Sequence, residues 1–192
     1  MRHQTPKWLL CLLLTLPLLA MSAAASAEEI RASLIGRHEV PAVNTVATGH
    51  FKATINPGDQ SIDYELTYSG LQGTVQQAHI HVAQKSVNGS IVVWLCQTPN
   101  GTPPFTDPTH LAPTCPQSGT VKGTITAANV TAPAATPGPP NNTQQLKIGD
   151  LAEVIAAIRG GVAYANVHTN LSPGGEMRGQ IRAASQVDRD DD

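Results

Sequence analysis

The chain has 192 residues, 41% hydrophobic and 14% charged, with 12 Lys and Arg against 14 Asp and Glu for a formal net charge of −2. A mildly acidic chain with no basic patch is a poor match for nucleic acid, and its length suits a single domain. Aromatic residues are only 4% while Gly and Pro number 16 and 15, which speaks against a helical protein and for an all-β one.

Arg2 and Lys7 give a basic start, Trp8 to Ala20 is apolar, and Ala25-Ser26-Ala27 has the form of a cleavage site. Residues 1–27 therefore read as a secretory signal peptide, with a secreted or periplasmic destination. Pro17 and the short run argue against a retained membrane helix, and no later stretch is apolar for long enough to span a bilayer. Cleavage leaves about 165 residues, a formal charge of −4 and two cysteines, Cys96 and Cys115. An even count in an exported chain points to one disulfide, closing a loop that carries Pro99, Pro103, Pro104, Pro108 and Pro113. A pair of soft metal ligands is the alternative.

In chain order, Ile30 to Leu34 alternates and reads as a strand. The segment from Gly36 to Pro41 turns away from it. Gly49 to Ile55 and Ser61 to Tyr68 alternate on either side of Asn56-Pro57-Gly58-Asp59, where Pro fixes φ and Gly supplies φ > 0, so the two form a hairpin. Val75 to Val82 is a strand, and Ile91 to Cys96 is a dense apolar strand buried on both faces. Gly119 to Ile125 alternates again. Thr131 to Asn142, with four prolines, reads as a surface loop. Asp150 is a good N-cap for one helix, whose Leu151, Val154, Ile155 and Ile158 make an apolar stripe that Gly160-Gly161 stops. Val162 to His168 and Glu176 to Ile181 make a second hairpin around Ser172 to Gly175. Residues 184–192 are an acidic, disordered tail. About eight strands with short turns predict an antiparallel Greek-key sandwich or barrel with one short helix.

The chemistry concentrates in Ala78-His79-Ile80-His81-Val82. Alternate residues of a strand share a face, so His79 and His81 project together. With His168 they make a three-nitrogen set suited to copper or zinc. The competing reading is structural: rings bonded to loop carbonyls, or a histidine–carboxylate network oriented by Glu176 or Glu39. Glu176 and Arg178 share a face of the last strand. They form either an inter-strand ion pair or, for Glu176, an acceptor behind a ligating imidazole. Asn166 shares a face with His168 and could bond the turn or a ligand. His38 and His50 read as surface or turn residues, and Trp94 as core. No nucleophile constellation or phosphate loop occurs, so no catalytic residue is assigned and a binding module is favoured over an enzyme.

The combined pattern resembles the chordin-type (CHRD) domain. It is carried by Leu34-x-Gly36 with His38-Glu39-Val40-Pro41, Gly49, Tyr64-x-Leu66, Gly70-Leu71, the His79-x-His81 strand and Gly89 with Ile91-Val92-Val93. It continues through Tyr164-Ala165-Asn166-Val167-His168-Thr169 and closes with Pro173-Gly174-Gly175-Glu176-Met177-Arg178-Gly179-Gln180-Ile181. This gives a domain over residues 28–183 and implies an exported module with a protein or extracellular-matrix partner. More distantly, the chain is similar to copper/zinc superoxide dismutase, also a Greek-key barrel with His-x-His on one strand. There His79, His81 and His168 would match copper ligands and Arg178 the arginine that attracts the anion. The histidine-rich zinc loop is missing and no bridging histidine is evident, His110 lying in the proline-rich loop. That likeness implies a copper metalloenzyme as one alternative, and a purely structural or adhesion module without metal is the other.

Overall fold

The computed structural model describes residues 1, 26–99, 107–131 and 144–184. Nearly all of the expected signal peptide, most of the loop at 131–142 and the acidic tail lie outside the described residues. Nine strands and one α-helix are described: β1 (Glu28–Ile35), β2 (Thr48–Ile55), β3 (Ile62–Ser69), β4 (Val75–Val82), β5 (Ser90–Gln97), β6 (Gly119–Ile125), α1 (Leu151–Arg159), β7 (Ala163–Thr169), β8 (Met177–Gln180) and β9 (Arg182–Ala183). The strands pair in the order β5-β4-β7-β8-β1-β2-β3-β6, with β9 beside β1. Every described pairing is antiparallel. β5 and β6, at the two ends of that order, lie against one another, so the sheet curls into a nearly closed barrel.

Alternation explains the interior. On β3, Ile62, Tyr64, Leu66 and Tyr68 are buried in the core while Asp63, Glu65 and Thr67 face outward. Tyr64 and Tyr68 enter the core because their hydroxyls find acceptors, the carbonyls of Leu95 and Pro116, each at 2.6 Å. The expected β2–β3 hairpin forms in full register from Thr48↔Ser69 to Ile55↔Ile62. The helix also forms as expected. The Asp150 carboxylate accepts from the Glu153 N–H, and Leu151, Val154, Ile155 and Ile158 are buried in the core. Gly161, at φ +68°, takes the left-handed conformation that ends it.

Cys96 and Cys115 form the disulfide, which ties the loop after β5 back to the barrel. The last strand differs from expectation. It is split at Ile181, which is fully buried; β8 pairs with β7 and touches β1 at Ile35↔Arg178, while β9 pairs only with β1. Glu176 falls in the turn before it.

Candidate metal centre

On β4 the core takes Ala78 and Ile80, and on β7 it takes Ala163, Ala165 and Val167. Strand alternation therefore turns Gln77, His79 and His81 of β4, and Tyr164, Asn166 and His168 of β7, to the outer wall of the barrel. The register sets them side by side, with Gln77↔His168, His79↔Asn166 and His81↔Tyr164. Yet His79 is 0% exposed and His81 and His168 are each 6% exposed. Loops reach over the wall: Glu39 from the turn after β1, Gly89 before β5, and Pro173 to Gly175 before β8.

β5 supplies the fourth side by breaking alternation. Its pairing to β4 skips Leu95 between Ala78↔Cys96 and His79↔Trp94, and skips Val92 between Ile80↔Val93 and His81↔Ile91. Two bulges thus admit two extra residues. Val92, Val93, Leu95 and Cys96 all enter the core, and Trp94 is turned outward against His79 with ring centroids 4.2 Å apart, edge to face. The apolar run is buried from Val92 to Cys96, with Ile91 half-buried, but Trp94 belongs to the histidine site and not to the core cluster.

The three imidazoles converge, each offering one nitrogen within 4.8 Å of the others. His79 Nδ1 lies 3.2 Å from His168 Nε2. Two ligands bound at 2.0–2.1 Å in a tetrahedral site stand roughly 3.3 Å apart, so this pair is already spaced for one ion. Loop carbonyls orient His81 and His168. His81 Nδ1 donates to Gly89 O at 3.0 Å, and His168 Nδ1 donates to Pro173 O at 2.9 Å. A carbonyl only accepts, so both neutral rings carry their hydrogen on Nδ1 and turn an Nε2 lone pair inward. The Gly89 N–H in turn donates to the Tyr164 hydroxyl at 3.2 Å. A Cβ on Gly89 would collide with the Val82 carbonyl, so only glycine brings this loop close enough to hold His81.

Four buried polar atoms find no hydrogen-bond partner among the described residues: His79 Nε2, His81 Nε2, Asn166 Oδ1 and Glu39 Oε1. Orphaned acceptors in one buried cluster are costly unless a cation or donor joins them. Burial pushes the His81 ring down to about 3 and His168 to about 4, and holds His79 well below the usual histidine range; nearby imidazoles deepen the shift at His79 and His81. All three are therefore neutral, the form that ligates a metal. Burial raises Glu39 to about 7 against the opposing pull of the Arg178 guanidinium. His81 stacks flat on Tyr164, with centroids 4.7 Å apart and planes within 1°. Arg178 covers Tyr164 at 4.2 Å from its ring centroid.

Glu176 and Arg178 do not pair with each other. The Glu176 carboxylate accepts from the Gln72 and Gly73 N–H groups and from the Thr45 and Thr169 hydroxyls at 2.7–3.3 Å. It organises three loops and touches none of the imidazoles in these hydrogen bonds. Arg178 donates to Val87 O and to Asn88 Oδ1. Asn166 lies between His81 and Glu39, polarising both. His110 remains in its own loop, outside the histidine group. Sequence reasoning assigned no role at the site to Tyr164, although its face on β7 follows from the same alternation as that of His168. It named Glu39 only as an alternative, because Glu39 arrives from a turn.

A nearly closed antiparallel barrel with imidazoles gathered on its outer wall under loop cover defines a β-barrel domain with a candidate metal centre. Its family is the CHRD domain: the family model matches residues 30–181, and the chain belongs to that family. No curated protein and no solved structure matches the chain, so the likeness to superoxide dismutase rests on the sequence pattern alone. No helix among the described residues is long and apolar enough to cross a membrane.

Proposed function

We propose that the chain is an exported CHRD-domain binding module that holds one copper or zinc ion through His79, His81 and His168. The observation that carries this reading is the pair of rings fixed by Gly89 O and Pro173 O, which turn their Nε2 atoms toward a third imidazole in a buried pocket. A metal would take up the His81 Nε2 lone pair, which finds no partner, and replace the contact between His79 Nδ1 and His168 Nε2, tying the three rings together. Neutral imidazole suits both copper and zinc. The disulfide fits the oxidising compartment that export implies. The depth of the rings favours a resident ion over a turnover site, since a copper enzyme needs a position that substrate can reach.

Calorimetry with Cu(II), Cu(I) and Zn(II) on the purified mature chain tests this. One-to-one binding, lost in a His79→Ala/His81→Ala variant that still melts cooperatively, is the expected result. A folded wild type that binds none of the three ions would leave the histidines structural and overturn the reading. If copper binds, a superoxide assay on the loaded protein discriminates a binding module from an enzyme.

A further inference from the structure

Although the chain is net acidic, one groove of about 440 Å³ is lined by Arg31, Arg37, Lys52, Lys85, Arg178 and Arg182. That is half of the 12 basic residues in the chain, drawn from positions far apart in the sequence. Glu39 is the sole carboxylate lining it, and it is 5% exposed. The expectation of no basic patch is thus overturned by the fold. Three of the cations form a row across adjacent strands, Lys52 on β2 opposite Arg31 on β1, and Arg31 opposite Arg182 on β9. Neighbouring strands are about 4.8 Å apart, and like charges facing each other across a sheet are destabilising. The acidic neighbours only partly offset this. Glu29 reaches Arg31 at 3.5 Å from an exposed position, and Glu65, opposite Lys52, is engaged at 2.7 Å by Lys122.

We propose that this groove binds an acidic polysaccharide, with its repeated anionic groups laid along the cation row and its hydroxyls against Ser33, His50 and Ser86. The row is longer than a single small anion needs, and the hydroxyls of Ser33 and Ser86 beside it are hydrogen-bonding groups of the kind that sugars engage. Nucleobases find no platform there, since the one aromatic carbocycle in the lining, Phe51, is fully buried. Arg178, 2% exposed and held by Val87 O, Asn88 and the Tyr164 ring, adds a fixed positive charge beneath one end of the groove, while contact with the polysaccharide falls to the more exposed cations. The residues altered below lie outside the histidine centre, and this inference stands whether or not a metal binds.

Calorimetry of the mature chain with alginate oligosaccharides, neutral dextran and single-stranded oligothymidylate at about 0.15 M salt, where screening acts over roughly 8 Å, is the test. Alginate should bind, dextran should not, and affinity should fall as salt rises. Arg31→Glu/Lys52→Glu should weaken alginate by at least about tenfold, the sum expected for several exposed ion pairs. Should that variant fail to fold, Arg37→Ala/Lys85→Ala removes two exposed cations from loops and should weaken binding several-fold. Absence of alginate binding, unchanged affinity in a folded variant, equal binding of dextran, or tighter binding of the oligonucleotide would each overturn the proposal.

Discussion

Glu176 shows how much one side chain can matter away from the metal chemistry. Burial alone would raise its pKa, yet its four donors from Gln72, Gly73, Thr45 and Thr169 hold it below the usual carboxylate range. Its charge therefore stabilises the fold above pH 4.5, and that stabilisation is lost as pH falls through the depressed value. Glu176→Gln keeps the shape but loses the charge and one strong acceptor. We expect unfolding free energy to drop by about 2–3 kcal/mol, read as a lower urea midpoint at unchanged slope, with metal affinity altered only slightly. A large loss of metal affinity at unchanged stability would instead place Glu176 behind a ligand. Next to it, Gly175 sits at φ +123°, and a Cβ there would strike the Glu39 carboxylate and approach Asn166 Nδ2 to 3.0 Å. Gly175→Ala should cost about 1–3 kcal/mol from backbone strain alone and disturb the Glu39–Asn166 arrangement. Thermal melts of the apoprotein would read this.

At the scale of elements, β5 is the strand that couples the core to the site. Its two bulges send four residues inward and leave Trp94 against His79. The disulfide anchors the end of this strand by closing the loop from residue 96 to 115, a sequence separation of 19. A loop of this length gives about 3 kcal/mol in the chain-entropy picture. Cys96→Ala/Cys115→Ala should therefore unfold at lower denaturant by about that amount. Because Cys96 enters the core and not the outer wall, metal affinity should change far less than stability. Parallel urea titrations and calorimetry of the same variant separate the two effects.

For the whole molecule, the neutral histidines make stability depend on pH. In the unfolded chain each titrates near 6.5, whereas in the fold His81 and His168 stay unprotonated to about 3 and 4, and His79 lies well below its usual value. As pH falls from 6.5 toward 4 the unfolded state takes up protons that the folded state does not, so stability is lost. Glu39 acts in the opposite sense. Raised to about 7, it takes up its proton in the fold first, and its contribution is present below pH 4.5 and lost as pH rises through 7. Three rings outweigh one carboxyl, leaving close to two protons net near pH 5.5. The apoprotein should lose about 2–3 kcal/mol per pH unit there, measurable as a falling urea midpoint between pH 6.5 and 4.5. Glu39→Gln should steepen that loss. A bound metal should add about 2.7 kcal/mol at a free concentration one hundred times its dissociation constant. A melting temperature raised by copper or zinc at pH 7 and restored by a chelator checks this.

Local pattern was enough for what depends on neighbours in the sequence. Period-two alternation placed β2, β3, β4 and β6, an apolar stripe with Asp150 and Gly161 placed α1, and His79-x-His81 necessarily shared a face because alternate residues of a strand do. The two cysteines of the expected mature chain left one pairing to make. The family was legible too, since Asn166-Val167-His168 and Gly175-Glu176-x-Arg178 keep their spacing whatever the fold does. Long-range placement was not. Only the β4–β7 register put His168 within reach of His79, and only the bulges in β5 drew Trp94 out of the core. Glu39 reached the site from a turn, and Glu176 turned to loop amides and hydroxyls that no spacing could reveal. Six cations spread from Arg31 to Arg182 became one groove because β1, β2, β8 and β9, which carry four of them, lie together in the barrel and the segments bearing Arg37 and Lys85 fold beside them. Charge adds up along the chain regardless of order, but it acts through space, and only the tertiary structure fixes those distances.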